Sequence, residues 1–114
     1  MKKALGNRGE EIAVRYLKGK GYRILHRNFR TPIGEIDIIA EDRDRLVFLE
    51  VKTRADDSFG HPFEAVDQRK RERMKKVALY YMKNSGIERP VRFDVISIEI
   101  KGNESSLSHI IEAF

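Results

Sequence analysis

Three charged residues sit where a strand pattern calls for apolar ones. Asp37 lies in Gly34-Glu-Ile-Asp-Ile-Ile-Ala40, and Glu50 and Lys52 lie in Leu46-Val-Phe-Leu-Glu-Val-Lys52. Side chains alternate across a strand, so Glu35 and Asp37 share one face, as do Glu50 and Lys52. Ile36, Ile38, Ala40, Val47, Leu49 and Val51 take the opposite face and belong to a core. A turn centred between Arg43 and Asp44 sets Glu41 against Leu46, Ile39 against Phe48, Asp37 against Glu50 and Glu35 against Lys52. A loop with an odd residue count would shift that register by one.

In this register two carboxylates stand directly opposite, with Cβ atoms about 5 Å apart, an arrangement that destabilises a sheet. Their face also carries Ile39, Leu46 and Phe48, which need cover, so the acids sit at the rim of a buried surface. A divalent cation compensates such a pair. Mg²⁺ or Mn²⁺ binds through one or two carboxylates, keeps several waters and leaves room for a phosphate. Asp37 and Glu50 are the expected metal ligands. A metal there polarises a phosphate oxygen and acidifies a water. Lys52, on the same face, is placed to orient that water or neutralise charge developing on the phosphate. Its other reading is a salt bridge to Glu35.

The elements that position these residues follow from periodicity. Leu5, Gly9, Ile12, Ala13, Tyr16 and Leu17 form a stripe at helical spacing, which predicts a first helix over Asn7–Lys20 ended by Gly21. On that helix Glu10 lies at the edge of the stripe and Glu11 points away. Glu10 has two readings: a third carboxylate leaning toward the sheet, or N3 of a capping box over Asn7-Arg8-Gly9-Glu10. Strands are expected over Tyr22–Arg30, Glu35–Glu41, Leu46–Thr53, Arg92–Ile100 and Leu107–Ile111, with turns at Thr31–Gly34 and Gly102–Ser105. A second helix is expected over Ala65–Asn84. Its apolar face runs Val66, Lys70, Met74, Val77, Tyr81, and Lys70 either snorkels outward or reaches the acidic rim. Between them, a loop over Arg54–Glu64 carries Phe59, His61 and Phe63, rings that suit stacking on unpaired bases or local packing.

The chain has 114 residues and a formal net charge of +5, which bounds it to one domain spanning residues 1–114. Asp67–Lys83 holds seven bases and two acids, as large a net charge as the whole chain. That concentration is the footprint of a nucleic-acid binder or a solvated helix face. Arg54, Arg69, Lys70, Arg71, Arg73, Lys75 and Lys76 are the candidate backbone contacts. Cysteine is absent, which excludes thiol catalysis and thiolate metal sites and fits a cytoplasmic protein. The first residues lack the apolar run of a secretory signal, and no run approaches the length of a membrane span. The order helix, three strands, helix, two strands, with a crossover helix between strands three and four, predicts a mixed sheet of α/β class.

Gly6-x-x-Gly9-Glu10-x-x-Ala13-x-x-Tyr16-Leu17, Arg27-Asn28, Gly34-Glu35-Ile36-Asp37, Val47-Phe48-Leu49-Glu50-Val51-Lys52-x-Arg54, Lys70 and Arg92-Phe93-Asp94-Val95 together resemble the YraN family of small bacterial proteins. That family is similar to the PD-(D/E)xK, restriction-endonuclease-like nucleases, with a layout close to archaeal Holliday-junction resolvases. The resemblance implies an endonuclease-like core and a Mg²⁺ or Mn²⁺ site. By position it implies catalytic roles for Glu10, Asp37, Glu50, Lys52 and Lys70, with Glu10 as an added metal ligand. Ile36 stands where the superfamily name has proline. Two functions follow: a metal-dependent endonuclease on DNA, with junction or branched DNA as a candidate substrate, or an inactive module on the same fold that binds DNA or a repair partner. A junction resolvase needs two sites and hence a homodimer.

Overall fold

The structure, a computed structural model, describes residues 2–55 and 67–114, with side chains from Leu5 onward. Its order is α1 (Lys2–Gly19), β1 (Arg23–Arg30), β2 (Glu35–Asp42), β3 (Arg45–Arg54), α2 (Gln68–Ser85), β4 (Val91–Lys101) and β5 (Glu104–Ile110). The five strands form one sheet in sequence order. β3 and β4, joined through α2, are parallel, and the other pairs are antiparallel hairpins. The α/β class and the mixed sheet are as expected. Among the described residues no helix is long and apolar enough to cross a membrane.

Each face of the sheet carries one helix. Ala13, Val14 and Leu17 of α1 pack on Ile38, Ala40, Val47, Leu49, Ile96 and Ile98. Val77, Ala78 and Tyr81 of α2 pack on Ile36, Ile39, Leu46 and Phe48. Each such large apolar side chain contributes about 1.5–3 kcal/mol on burial. α1 lies so close to β3 that a Cβ on Gly9 would sit 1.9 Å from Thr53 Oγ1. Only glycine fits there, and the contact seats the next residue, Glu10, against the sheet.

Several sequence expectations change. α1 starts at Lys2, so Asn7-Arg8-Gly9-Glu10 lies inside the helix and forms no capping box. α2 starts at Gln68, where Asp67 Oδ1 accepts the Lys70 N–H at 2.9 Å and caps the helix. The expected start at Ala65, the place of Val66 on the helix face, and the loop rings Phe59, His61 and Phe63 lie outside the described residues. β5 begins earlier than expected because Gly102 and Asn103 alone turn the chain. Gly102 has φ 60° and Lys101 pairs with Glu104.

Ile36 is the instructive correction. Strict alternation puts it with Ile38, but Ile38 packs under α1 and Ile36 under α2. The neighbouring strand does the same: Arg27 reaches α1, whereas Phe29 meets Tyr81 of α2. The pairing of β1 with β2 skips Asn28 and Asp37 between these residues. Asn28 has φ 53°, left-handed backbone that Asn tolerates better than most residues. At this step both strands change face: Arg27 and Phe29 on β1, Ile38 and Ile36 on β2.

A buried polar network ties β4 to its surroundings. Asp94 is fully buried and accepts Arg92 Nε at 3.0 Å, Arg92 Nη2 at 3.0 Å and the Glu112 N–H at 3.1 Å. His109 Nε2 lies 2.7 Å from the same carboxylate, and His109 Nδ1 lies 2.9 Å from the Tyr16 hydroxyl of α1. Arg92 also reaches Asp42 at 2.9 Å. Burial alone would raise Asp94, but the bonds from His109, Arg92 and Glu112 outweigh it and hold the carboxyl below its ordinary value. Asp94→Ala leaves buried Arg92 with Asp42 as its remaining carboxylate and takes the acceptor from His109 and the Glu112 N–H. It is expected to cost about 3–5 kcal/mol in urea unfolding; an unchanged midpoint would contradict this account of the network.

Candidate active site

The predicted register of β2 and β3 holds: Ile39 faces Phe48, Glu41 faces Leu46, and the turn is Arg43-Asp44 with Arg43 at φ 60°. The pairing ends at Ile38–Leu49. One step further the strands part, and Asp37 fills the opening. Its Oδ2 accepts the Val51 N–H at 2.7 Å. In a continued ladder Val51 would face Ile36; here the Asp37 carboxylate serves as its partner. The break that turns Ile36 toward α2 therefore also fixes where Asp37 points.

Asp37 and Glu50 meet at this opening, close enough for their carboxyls to share a hydrogen bond. Glu50 is buried at 6 % exposure. Burial, then the charge of Glu50, push the Asp37 carboxyl up to about 7 against the opposing Val51 N–H. Two ammonium groups offset the pair. Lys70 Nζ donates to Glu50 Oε1, and Lys52 Nζ lies 3.9 Å from the same oxygen. The Lys70 reading is thus settled toward the acidic rim. Burial lowers Lys70, but the hydrogen bond and charge of Glu50 outweigh it and its pKa is raised. Lys52 is lowered by burial and by the charge of Lys70. Glu35 pairs with Arg30 at 3.4 Å rather than with Lys52.

A cavity of about 200 Å³ opens on this cluster, between Asp37 and Glu50 on one side and Lys70, Arg73 and Met74 of α2 on the other. Gly34 and Glu35 complete its wall. The donor set fits a hard cation such as Mg²⁺. Two adjacent carboxylates, Glu50 buried and Asp37 half-buried, supply oxygen ligands; their mutual repulsion is the kind a divalent charge relieves, and the cavity leaves space for waters. Glu10 is not part of this wall. It is 8 % exposed, and its Oε1 accepts Arg27 Nε and Asn28 Nδ2, each at 3.0 Å. Among the described residues no group of three or more His, Cys, Asp or Glu side chains gathers as a metal site. Glu10 instead grips Asn28, the residue opposite Asp37 in the skipped pair.

The other expected cations spread along α2, except Arg54, which ends β3. Arg69, Arg73, Lys75 and Lys76 are exposed, and Arg71 and Arg54 are half-buried. Lys75 lies 3.7 Å from Glu72, and Arg71 sits over the Phe114 ring at 5.5 Å. Arg73 was read as one more surface base. Its place on the cavity wall was signalled by its spacing from Lys70, three residues on along one helical face.

A model of the Uncharacterised protein family UPF0102 matches residues 9–98, a span holding Glu10, Asp37, Glu50, Lys52 and Lys70. The chain belongs to UPF0102. This is the YraN family indicated by the motifs. Relatives align end to end. The UPF0102 protein of Thermodesulfovibrio yellowstonii is 51% identical over 96% of this chain and 95% of its own. That of Syntrophomonas wolfei is 48% identical over the full length of both chains. That of Clostridioides difficile is 46% identical over 98% of this chain and 97% of its own.

The Asp37–Glu50 repulsion predicts a pH-dependent stability. The fold favours protonated Asp37, so this group costs nothing below the unfolded-chain value near pH 4. Stability is then lost as pH rises toward about 7. Asp37→Asn keeps an acceptor for Val51 and loses the charge. Without divalent cations it is expected to be more stable than wild type by about 1–3 kcal/mol at pH 8, with a smaller gap at pH 5. Urea unfolding at both values checks this, and a variant no more stable at pH 8 contradicts it.

Proposed function

We propose that this protein is a metal-dependent endonuclease hydrolysing phosphodiester bonds in DNA. The observation that carries the reading is the adjacent Asp37–Glu50 pair, flanked by Lys52 and Lys70, at a cavity walled by the basic helix α2. The motif resemblance to PD-(D/E)xK nucleases supports it.

Asp37 and Glu50 hold Mg²⁺ or Mn²⁺ in this reading. The metal supplies Lewis-acid polarisation of a phosphate oxygen and a more acidic water. Asp37 is fixed by the Val51 N–H, so its free oxygen keeps one direction. Lys70 orients Glu50 from α2. Lys52, with its proton affinity lowered, orients the attacking water and exchanges a proton at Nζ. Arg69, Lys75 and Lys76 on the outer face of α2, with Arg54 and Arg71 beside them, contact backbone phosphates. Binding is then expected to weaken steeply with salt.

The test is cleavage of labelled junction, flap, single-stranded and duplex DNA, and of single-stranded RNA, with Mn²⁺, Mg²⁺ or EDTA. Metal-dependent cutting is expected, reduced roughly 10²-fold or more by Asp37→Ala and by Lys52→Ala. Absence of cutting on every substrate, with DNA binding intact in both variants, would sink the nuclease reading in favour of a binding module.

A further inference from the structure

Among the cations on the cavity wall, Arg73 stands apart. Lys70 is engaged by Glu50, and Lys52 lies by the same oxygen. Arg30 occupies Glu35. Along α2, Lys75 leans on Glu72 and Arg71 covers Phe114. No hydrogen bond or ion pair holds the Arg73 guanidinium among the described residues, yet it lines the same cavity as both acids.

Its direction is set by the opposite wall. A Cβ on Gly34 would lie 2.7 Å from Arg73 Cδ and 2.9 Å from Cγ, so the stem of the arginine occupies the space a side chain would need. Gly34 has no left-handed backbone to explain it; the close approach does. The glycine is itself held fast. Thr31 Oγ1 accepts the N–H groups of Ile33 and Gly34, each at 3.1 Å, and donates to the Gly34 carbonyl at 2.8 Å. The Thr31 N–H reaches the same carbonyl at 2.9 Å. A locked turn therefore presents a bare backbone against which Arg73 lies. Long helical side chains lean toward their helix N-terminus, here toward Lys70 and the acids.

We propose that Arg73 is the phosphate-contacting group of this site, a guanidinium that binds the non-bridging oxygens of the phosphodiester at the acidic pair, and that Gly34 admits its stem. The assignment rests on the reading above and adds to it the residue that grips the reacting phosphate. Guanidinium suits the task because it offers paired N–H donors to two phosphate oxygens and stays charged. Lys70 is engaged by Glu50, so Arg73 is the cation on this wall that the acids leave to a phosphate.

The experiment measures Mn²⁺ binding and then thymidine 5′-monophosphate binding to the Mn²⁺-loaded protein by titration calorimetry. It uses wild type, Arg73→Gln, Arg73→Lys and Gly34→Ala, each first checked for folding by circular dichroism. Arg73→Gln is expected to keep the Mn²⁺ affinity and weaken nucleotide binding about tenfold. Arg73→Lys retains part of the affinity. Gly34→Ala, which keeps the arginine but displaces a flexible stem, is expected to fold and to reproduce the loss. Mn²⁺ binding intact with equal nucleotide affinity in wild type and Arg73→Gln overturns this assignment alone. A wild type that binds no Mn²⁺ overturns the metal site and the assignment with it.

Discussion

Two carboxylates held side by side, one buried and one half-buried, repel each other, and a fold that keeps them must supply what offsets the repulsion. Here the offsets come from three groups on two elements. The Val51 N–H of β3 fixes Asp37, Lys70 of α2 meets Glu50, and Lys52 of β3 adds a second ammonium near the same oxygen. Even so, Asp37 stays high, near 7. Burial first, and the Glu50 charge second, make this corner favour added positive charge, which distinguishes it from the other ion pairs of the molecule.

The geometry of that corner depends on a defect in the sheet. Regular alternation would have given Asp37 a place on one face and Val51 a partner on β2. The left-handed Asn28 and the skipped Asn28–Asp37 pair break the alternation, and the carboxylate drops into the gap between strands. Glu10 secures the defect from the α1 side through Arg27 and Asn28, and Gly9 brings it there by letting α1 touch Thr53. On the far side of β3, the Asp94 network anchors β4 to α1 through His109 and Tyr16. Site and scaffold thus share the same elements: α1 braces the strands from one face, while α2 lends Lys70 and Arg73 from the other.

Much of this was legible in the residues. Charge inside an apolar strand pattern marked Asp37, Glu50 and Lys52, and the β2–β3 register followed from the spacing around Arg43-Asp44. Lys70, the basic residue on an apolar helical stripe, was legible as a group with somewhere to go. What periodicity could not give was any departure from itself. The flip at Ile36 coincides with left-handed backbone at Asn28 of the neighbouring strand, which Asn permits but does not dictate. Glu10 was placed at the helix edge correctly, yet its partners come from a strand 17 and 18 residues on. The Asp94–His109 contact joins side chains 15 residues apart that no spacing rule pairs. Gly34 reads as a turn residue until Arg73 of a distant helix is seen against it.

The most direct test of the account is a crystal structure of the protein grown or soaked with Mn²⁺ and measured at a wavelength where manganese scatters anomalously. The account predicts a single strong peak within metal–oxygen bonding distance of both Asp37 and Glu50, with Lys70 moved off the shared oxygen. A map with no peak there, and Lys70 still bound to Glu50 at saturating Mn²⁺, would contradict it.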